Sequence, residues 1–455
     1  MAEKTKVPPR PSAKRFATHI GVLVATLGSA VGLGNIWKFP SLAGANGGAA
    51  FMFIYLLCTL VIGLPVLLAE LSIGREGRGD AVRSLQRVAP GTFWWIIGAS
   101  GVLAAFLIMS FYAEVSGWVL AYIVKAIGGT ALSTDSAVTS EAFTSLVTNP
   151  WLSLLVQWAV LAVTGAIIML GVSKGIEATT KRLMPLLLIM LVIVGVRSLT
   201  LPGGGEGLAF LFRPDWSKVT FSTVLTALGL AFFKLSLGMG CMMTYAAYYP
   251  DDQDIPKTGT RVVLSDLTIS ILAGVAIFPA VFAFGFEPSV GPGLLFITIP
   301  AVFASMPFGG FFMAIFFVLT FFAATGAILS LLEVITAFLE NQFNFDRIKA
   351  TLATLFGLAL FGAPAALSSS LTADVKLFGK TFFDLYDFVS SNLLLPIGGI
   401  LIAVFVGWVW KKAKFQDVLS NRDSLDNLGM TGTIFNLLKF VTPVLILVVL
   451  VSGLV

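Results

Sequence analysis

The sequence predicts an all-α polytopic membrane protein with about eleven transmembrane helices in two inverted five-helix repeats. Of its 455 residues, 57% are hydrophobic and 12% are charged, and the mean hydropathy is +0.94. These values are typical of a membrane-embedded helical protein and exclude an ordinary soluble enzyme. The first and sixth apolar segments are both interrupted by glycines at mid-span. Because the two interrupted segments lie five apart, an odd repeat length inverts the second copy relative to the first.

Apolar segments long enough to cross a bilayer follow one another along the chain. They lie near 16–45, 49–74, 92–127, 151–171, 178–200, 219–249, 261–286, 309–340, 347–367, 382–410 and 435–454. Gly291-Pro292-Gly293 opens an external or re-entrant hairpin that reaches Pro307. We divide the chain into an N-terminal tail (1–15), a first repeat (16–200), a second repeat (201–410) and a final loop with helix 11 (411–455).

Basic clusters fall at the N-terminus and after segments two, four, eight and ten, whereas the loop from Gly128 to Pro150 has no Lys or Arg. The positive-inside bias therefore predicts a cytoplasmic N-terminus and, with an odd number of spans, a C-terminus outside the cell. We expect a multi-pass protein of the inner (plasma) membrane, in contact with the lipid bilayer. Because the basic residues lie between apolar segments, we expect no nucleic-acid partner.

The first interruption, Gly28 to Asn35, contains three glycines that weaken the helix in the middle of the segment. Broken backbone at membrane depth is tolerated where it is buried in protein or lines a cavity. Its freed carbonyls can hold a cation and its freed amides a carboxylate. A glycine-rich packing face against a neighbouring helix is the alternative. The second interruption, Ser236 to Gly240, favours a substrate site between the two broken helices.

Lys234, two residues before the second interruption, is the most unusual of the polar residues inside the spans. One interpretation is that the Lys234 side chain snorkels to a membrane interface. However, about fifteen residues of the span precede Lys234, so its ammonium lies too deep to reach the interface easily. A buried ammonium needs a counter-charge, for which Asp266 and Glu70 are the candidates. Burial favours the neutral form of a lysine and a nearby carboxylate favours its charged form, so Lys234 is a plausible proton carrier. The other polar residues within spans are Asn35, Glu70, Asp266, Ser270, Glu333 and Asp387.

We expect neither a metal nor a cofactor, and we do not expect an enzyme. Both cysteines, Cys58 and Cys241, lie in apolar segments, and His19 is the single histidine. Metal-binding, phosphate-loop and nucleophile motifs do not stand out. His19 is more plausibly a packing residue than a proton relay.

The chain resembles the neurotransmitter:sodium symporter family, in particular its bacterial amino-acid transporters with the leucine-transporter fold. The motifs that carry the resemblance follow one another in the family's order along nearly the whole chain. They are Ser29-Ala30-Val31-Gly32-Leu33-Gly34-Asn35-Ile36-Trp37-Lys38-Phe39-Pro40, Asn46-Gly47-Gly48, Glu70-Leu71-Ser72-Ile73-Gly74-Arg75, Leu235-Ser236-Leu237-Gly238-Met239-Gly240 and Thr244-Tyr245.

The resemblance implies a substrate site in which the amides of Leu33 and Gly34, with the Tyr112 hydroxyl, bind a carboxylate. Carbonyls near Ala30, Phe233 and Ser236 would receive the amino group. The implied substrate-binding residues are Ser29, Ala30, Leu33, Gly34, Ile108, Tyr112, Phe233, Ser236, Gly238, Met239, Ala327 and Leu331. Because most of the lining is apolar, we expect a hydrophobic L-amino acid such as leucine, isoleucine, valine, methionine, phenylalanine or tryptophan.

The resemblance also implies two gates. Lys38 and Asp387 resemble the external charged gate, with Phe233 as the lid below it. Phe16, Tyr248 and a basic residue at Lys14 or Arg15 resemble the internal gate. The family's acidic partner falls on Asn341, so the internal ion pair is absent or is formed by Glu340 instead.

Both sodium sites of the family depart from its pattern here. In the family, the first site would use the Ala30 carbonyl, the Asn35 side chain, position 266 and a hydroxyl at position 234. Here position 234 is Lys234, whose ammonium would take the place of the ion. The second would use carbonyls near Gly28, Val31 and Ala323 and two hydroxyls, but these fall on Gly326 and Ala327. The Lys234, Asp266 and Asn35 group is therefore the expected ion-coupling site.

From these residues we predict a secondary active transporter that takes up a hydrophobic amino acid by alternating access. We expect it to be independent of sodium and coupled to protons through Lys234 and Asp266, with uncoupled exchange as the second option. A sodium-coupled symporter with a rearranged second site remains open. An alternative of another class is a membrane amino-acid sensor that binds without transport, against which the Lys38 and Asp387 gate pair argues.

Overall fold

The structure is a computed structural model that describes residues 15–286 and 291–452. Most of the predicted N-terminal tail, including Lys14, lies outside the described residues. The described helices, numbered in chain order, are α1 His19–Ala30, α2 Gly34–Ala45, α3 Ala49–Gly77, α4 Ala81–Val88, α5 Trp95–Gly128, α6 Ser136–Val147, α7 Pro150–Met169, α8 Val172–Leu199, α9 Gly204–Phe212, α10 Phe221–Lys234, α11 Cys241–Ala246, α12 Ile255–Ala283, α13 Leu294–Ala304, α14 Gly309–Phe343, α15 Arg347–Ala366, α16 Phe382–Val409, α17 Lys412–Leu419 and α18 Leu428–Val448.

Within the described residues, nine helices are long and apolar enough to span a membrane. The pair α1 and α2, whose axes differ by 48°, makes a tenth span when the pair is taken as one. The sixth predicted segment is divided between α10, with 14 residues, and α11, with 6. Helix length alone therefore leaves the expected count of eleven unconfirmed. The predicted hairpin from Gly291 to Pro307 contains the short helix α13.

The first interruption separates α1 from α2 as the glycines predict. Thr18 caps the start of α1, since its hydroxyl accepts a hydrogen bond from the Gly21 amide at 3.0 Å. Val31, the residue that follows the helix, has an extended backbone. The Asn35 side-chain oxygen accepts a hydrogen bond from the Gly32 amide at 3.2 Å. A side chain within the break thus satisfies a backbone group that the missing helical turn leaves free.

The second interruption separates α10 from α11 through three residues with left-handed backbone. Ser236, Gly238 and Gly240 have φ angles of 54°, 75° and 73°. This conformation is accessible to glycine without the penalty that a Cβ brings. The Glu70 carboxylate of α3 accepts a hydrogen bond from the Gly238 amide at 2.7 Å. The break is therefore held open by glycine geometry and by one buried carboxylate.

The two broken helices lie in the centre of the bundle. Helix α5 packs along α14, α1 packs against α14, and α11 packs against both α3 and α14. On the side of the loops that carry α6 and α13, aromatic rings interlock, with Phe143 stacked on Phe296 at 5.0 Å and Trp118 stacked on Phe383 at 5.9 Å. We call these four residues the external aromatic cluster, because the sequence predicts that the loop carrying α6 lies outside and that the hairpin carrying α13 is external or re-entrant.

Candidate functional site

A small cavity lies where the two interruptions meet. The cavity is lined by Ser29, Ala30, Gly32, Gly34, Ile108, Tyr112, Phe233, Lys234, Ser236, Met239, Ala327 and Leu331. The structure thus brings together at one cavity all the residues predicted to bind substrate except Leu33 and Gly238.

Leu33 and Gly238 contribute behind the cavity rather than to its lining. The Leu33 amide donates to the Tyr112 hydroxyl at 2.9 Å, so its backbone points to the cavity rim. A Cβ on Gly238 would lie 2.6 Å from the Leu395 carbonyl oxygen. Gly238 is not part of the lining of this cavity, and it allows α16 to pack closely against the second break, so its predicted part in substrate binding stays a prediction.

The cavity has a polar end and an apolar end. At the polar end, the Ser29 hydroxyl donates to the Ser236 hydroxyl at 3.2 Å, and the Ser236 hydroxyl donates to the Ser29 carbonyl at 2.8 Å. These bonds tie the two interruptions to each other. The rest of the lining is mainly aliphatic and aromatic, from Ile108, Met239 and Leu331 among others. Such a lining suits a small zwitterion with an apolar side chain.

Lys234 and Asp266 form a fully buried ion pair beside this cavity. The lysine Nζ lies 3.1 Å from Asp266 Oδ2, and both side chains have no exposed surface. Tyr55 joins them, since its hydroxyl accepts from Lys234 at 2.9 Å and donates to Asp266 Oδ2 at 2.9 Å. Lys234 also donates to the Ser270 hydroxyl. The ammonium therefore has hydrogen-bond acceptors in addition to its counter-charge, as a buried charge requires.

Asn35 completes this group from the first broken helix. Its side-chain amide nitrogen donates to Asp266 Oδ1 at 2.8 Å and to the Ser270 hydroxyl at 3.2 Å. Gly34 makes room for the lysine, because a Cβ there would lie 2.9 Å from Lys234 Cγ. The predicted ion-coupling residues Asn35, Lys234 and Asp266 are thus in direct contact. Tyr55 belongs to the same group and was not predicted.

At the position of the family's second sodium site, two backbones pack directly against each other. A Cβ on Gly326 of α14 would lie 2.5 Å from the Gly28 carbonyl oxygen of α1. The neighbouring hydroxyl, Thr325 Oγ1, donates to the Phe321 carbonyl of its own helix at 2.8 Å. Val31 and Ala323 are buried, and Ala327 faces the substrate cavity. No side-chain hydroxyl from positions 326 and 327 is available here.

The external gate residues meet above the cavity. Lys38 Nζ lies 3.3 Å from Asp387 Oδ1 and 3.8 Å from the centroid of the Phe233 ring. Ser391 donates to the same Asp387 oxygen at 2.8 Å. The cation thus bridges the carboxylate of α16 and the aromatic lid, so this side of the cavity is closed.

The internal gate is closed by aromatic packing. The Phe16 ring contacts Tyr245 and Tyr248 edge to face, at 5.7 and 6.3 Å between centroids. The Phe16 amide donates to the Tyr248 carbonyl at 3.2 Å. Arg15 lies 3.7 Å from Asp251, an acid in the loop that follows α11 and was not predicted.

Glu340 is the acid proposed to serve this gate, and its pairing with the predicted Lys14 stays a prediction because Lys14 lies outside the described residues. Glu340 lies 3.4 Å from Arg347, which also binds Glu333 at 2.5 Å. Asn341 donates to the Ala337 carbonyl at 2.8 Å. Among the described residues, the acid beside Arg15 is Asp251, in the loop that follows α11.

Glu70 was the second candidate partner for Lys234, and the structure gives it another role. Its carboxylate holds the Gly238 amide in the second interruption. A further buried carboxylate, Glu114 of α5, was not singled out at all. An ionisable residue in the middle of an apolar segment is the signal that would have found it.

Two broken helices that meet at a closed cavity, within a bundle of membrane-spanning helices, define a membrane transporter. The chain belongs to the sodium:neurotransmitter symporter family, whose model matches residues 13–141 and 150–455. The predicted family and the predicted all-α fold class are thereby confirmed. The family consists of transporters and not of enzymes.

Relatives of similar length match nearly the whole chain. The uncharacterized sodium-dependent transporter YhdH of Bacillus subtilis is 40% identical over 440 residues, covering 96% of this chain and 97% of the relative. An uncharacterized sodium-dependent transporter of Haemophilus influenzae is 35% identical over 451 residues, covering 96% of this chain and 98% of the relative. The crystal structure of MhsT in complex with L-phenylalanine superposes with a TM-score of 0.90 at 41% identity. That match covers 96% of this chain and 99% of MhsT.

Proposed function

We propose that this protein takes up a hydrophobic L-amino acid across the plasma membrane by alternating access and that protons, not sodium ions, drive it. The observation that carries the proposal is the buried Lys234–Asp266 pair, 3.1 Å between the charged atoms, beside the cavity. A positive charge is already part of the chain where the family places its first ion.

The amino-acid substrate is supported by the chemistry of the cavity. Gly34 and Tyr112 belong to its lining and offer a backbone amide and a hydroxyl to a carboxylate, and Ile108, Met239 and Leu331 offer apolar surface to a side chain. The crystal structure of MhsT holds L-phenylalanine. Phenylalanine and leucine are therefore the first two substrates to test.

The proposal of proton coupling rests on which ion the buried Lys234–Asp266 pair can exchange with water. Sodium needs several oxygen ligands at short range, and the ammonium of Lys234 already engages the Asp266 carboxylate and the Ser270 and Tyr55 hydroxyls. Two cations in contact would repel each other strongly in this low-dielectric place. When the internal gate opens and water reaches the pair, the particle that can leave is the lysine proton. When the external gate opens, a proton returns from outside.

Sodium-coupled uptake is the second candidate function, because the relatives from Bacillus subtilis and Haemophilus influenzae are named sodium-dependent transporters. A sodium ion would then have to bind away from Lys234. The contact between Gly28 and Gly326 argues against the family's second position in this closed form, since the two backbones already touch.

The deciding experiment is uptake of radiolabelled phenylalanine and leucine into proteoliposomes. An inward proton gradient and an inward sodium gradient are imposed separately, with a protonophore as control. Accumulation driven by protons, unchanged by replacing sodium with choline and abolished by the protonophore, is expected. Lys234→Met should lose the proton-driven component.

The other outcomes of the same assay separate the alternatives. Accumulation that requires sodium would refute the proton proposal and favour sodium symport. Exchange of labelled for unlabelled amino acid without response to either gradient would indicate uncoupled exchange. Binding to the purified protein without counterflow would indicate a sensor rather than a transporter.

A further inference from the structure

Glu114 of α5 is a buried acid that the substrate site and the gates do not use. Its exposed fraction is 2%, and it lies two residues from Tyr112, near the middle of a 34-residue membrane-spanning helix. Its Oε2 atom has no hydrogen-bond partner among the described residues. Ionisable residues at such depth are costly in a membrane and are rarely retained without a function.

The face of α5 that carries Glu114 packs against α7 and α15. Ser110 and Gly117, about one turn to either side, share that face. The Ser110 carbonyl accepts from the Gln157 side chain of α7 at 3.1 Å, and a Cβ on Gly117 would lie 2.8 Å from Val156 of α7. The same Gln157 side chain donates to the Gly362 carbonyl of α15 at 3.1 Å. Glu114 therefore lies between these two helices.

Positive charge is distant from this position along both helices. Helix α7 has no ionisable residue. The basic residues of α15, Arg347 and Lys349, precede Gly362 by 15 and 13 residues, roughly 20 Å along the helix. Lys125, on the same face of α5, is 11 residues beyond Glu114, about 16 Å away. The ionisable residues of the other helices that pack against α5, and of α5 itself, are Arg83 and Arg87 of α4, Glu333 and Glu340 of α14, Asp384, Tyr386 and Asp387 of α16, and Tyr112 and Tyr122.

The basic residues among these are engaged elsewhere. Arg83 donates to the Asn341 carbonyl, Arg87 to the Gly77 carbonyl, and Arg347 to Glu333. An ionised Glu114 would thus be a buried charge without a cation. Binding one proton removes that charge and turns the carboxyl into a hydrogen-bond donor.

Two neighbouring polar atoms fit the protonated form. Among the described residues, Gln157 Oε1 on the facing helix is a buried acceptor without a hydrogen-bond partner, and Trp118 Nε1, one turn beyond Glu114, is a buried donor without one. A neutral carboxyl can donate its O–H toward Gln157 and accept from Trp118, and a carboxylate could not donate.

We propose that Glu114 is a second proton-binding site, occupied when the external gate is closed. Trp118 connects it to the external aromatic cluster, since the indole stacks on Phe383 at 5.9 Å and meets Phe296 edge to face at 5.8 Å. Phe383 lies at the start of α16, one turn before the gate residue Asp387. Opening this cluster admits external water to Glu114 and lets its proton exchange; closing it requires the carboxyl to be protonated.

This inference rests on the proton coupling proposed above, and two measurements keep the two separable. The first is the infrared C=O stretching absorption of protonated carboxylic acids in the phenylalanine-saturated protein, native against Glu114→Gln. Glutamine has nearly the shape of the protonated acid, so the variant should fold. Glu141→Gln, at an exposed glutamate of α6, is the matched control.

The native protein should show an acid band that Glu114→Gln lacks and Glu141→Gln retains. A Glu114→Gln spectrum that keeps the whole band would overturn the proposal. The second measurement counts protons per phenylalanine in proteoliposomes. We expect Glu114→Gln to move one proton fewer than the native protein, and an unchanged count would refute a coupling role. If the native protein moves no protons at all while the band is lost in Glu114→Gln, proton coupling fails and the protonated Glu114 stands.

Discussion

Removing the charge of Lys234 while keeping its bulk tests the central ion pair. In Lys234→Met, Asp266 keeps its hydrogen bonds from Tyr55 and Asn35, 2.9 and 2.8 Å long, but loses the ammonium at 3.1 Å. Both partners are fully buried in the native protein. Removing one member of such a pair costs about 3–5 kcal/mol because an uncompensated charge is left behind. Methionine is nearly the length of the lysine stem, so little of this cost comes from a cavity.

The double variant Lys234→Met/Asp266→Asn is the matched control. Replacing both ions by neutral groups is often nearly neutral for stability, so the double variant should be more stable than the single one. Thermal unfolding of the purified protein in detergent, followed by fluorescence-detected size exclusion, measures the order. A single variant as stable as the native protein, or more stable than the double variant, would refute this reasoning.

Three further predictions concern packing, the external gate and Asp80, whose carboxylate caps the start of α4. Gly326→Ala places a Cβ 2.5 Å from the Gly28 carbonyl oxygen and should lower stability by about 1–3 kcal/mol, seen as a lower unfolding midpoint. Asp387→Asn removes a half-exposed partner of Lys38 and should weaken phenylalanine binding, measured by scintillation proximity, by no more than about fivefold. Burial raises the pKa of Asp80, so its ionisation opposes folding and stability falls as pH rises through that pKa. The unfolding midpoint of Asp80→Asn, relative to that of the native protein, should therefore increase as pH rises.

Each of these predictions has a control. Gly195→Ala adds a methyl group in a helix where nothing lies within 4 Å, so it should not destabilise; equal losses at both glycines would show that the contact with Gly28 is irrelevant. Ser391→Ala removes a second hydrogen bond to Asp387 and should have a smaller effect than Asp387→Asn. A constant difference between Asp80→Asn and the native protein at all pH values would contradict the assignment to ionisation.

The sequence was sufficient to locate the two interruptions and the buried lysine. Glycines and a charge inside an apolar segment are visible along one dimension, and the distance between the breaks implies the inverted repeat. The choice between Asp266 and Glu70 as partner of Lys234 was not visible. It depends on the rotation of α3 and α12 about their axes. Because these helices are apolar on most faces, their sequences do not show which face points toward Lys234.

Two residues that contact the site or its gates could not be identified from the sequence. Tyr55 lies in a uniformly apolar stretch, 179 residues from the lysine to which it binds. Asp251 lies in a loop, and loop paths carry no hydrophobic period from which a contact can be inferred. Glu114 was different, since a charge near the middle of a span could have been noticed from composition alone.

The position of Lys234 has a thermodynamic consequence. A bound metal ion leaves the protein in each cycle and carries the free energy of its own gradient with it. The ammonium of Lys234 is covalently attached, so it crosses no membrane and its presence does not vary with the salt outside the cell. Under the proposed mechanism, the work of concentrating an amino acid enters as protons or as an exchanged amino acid. A cation built into the chain would then preserve the architecture of the site without a bound sodium ion.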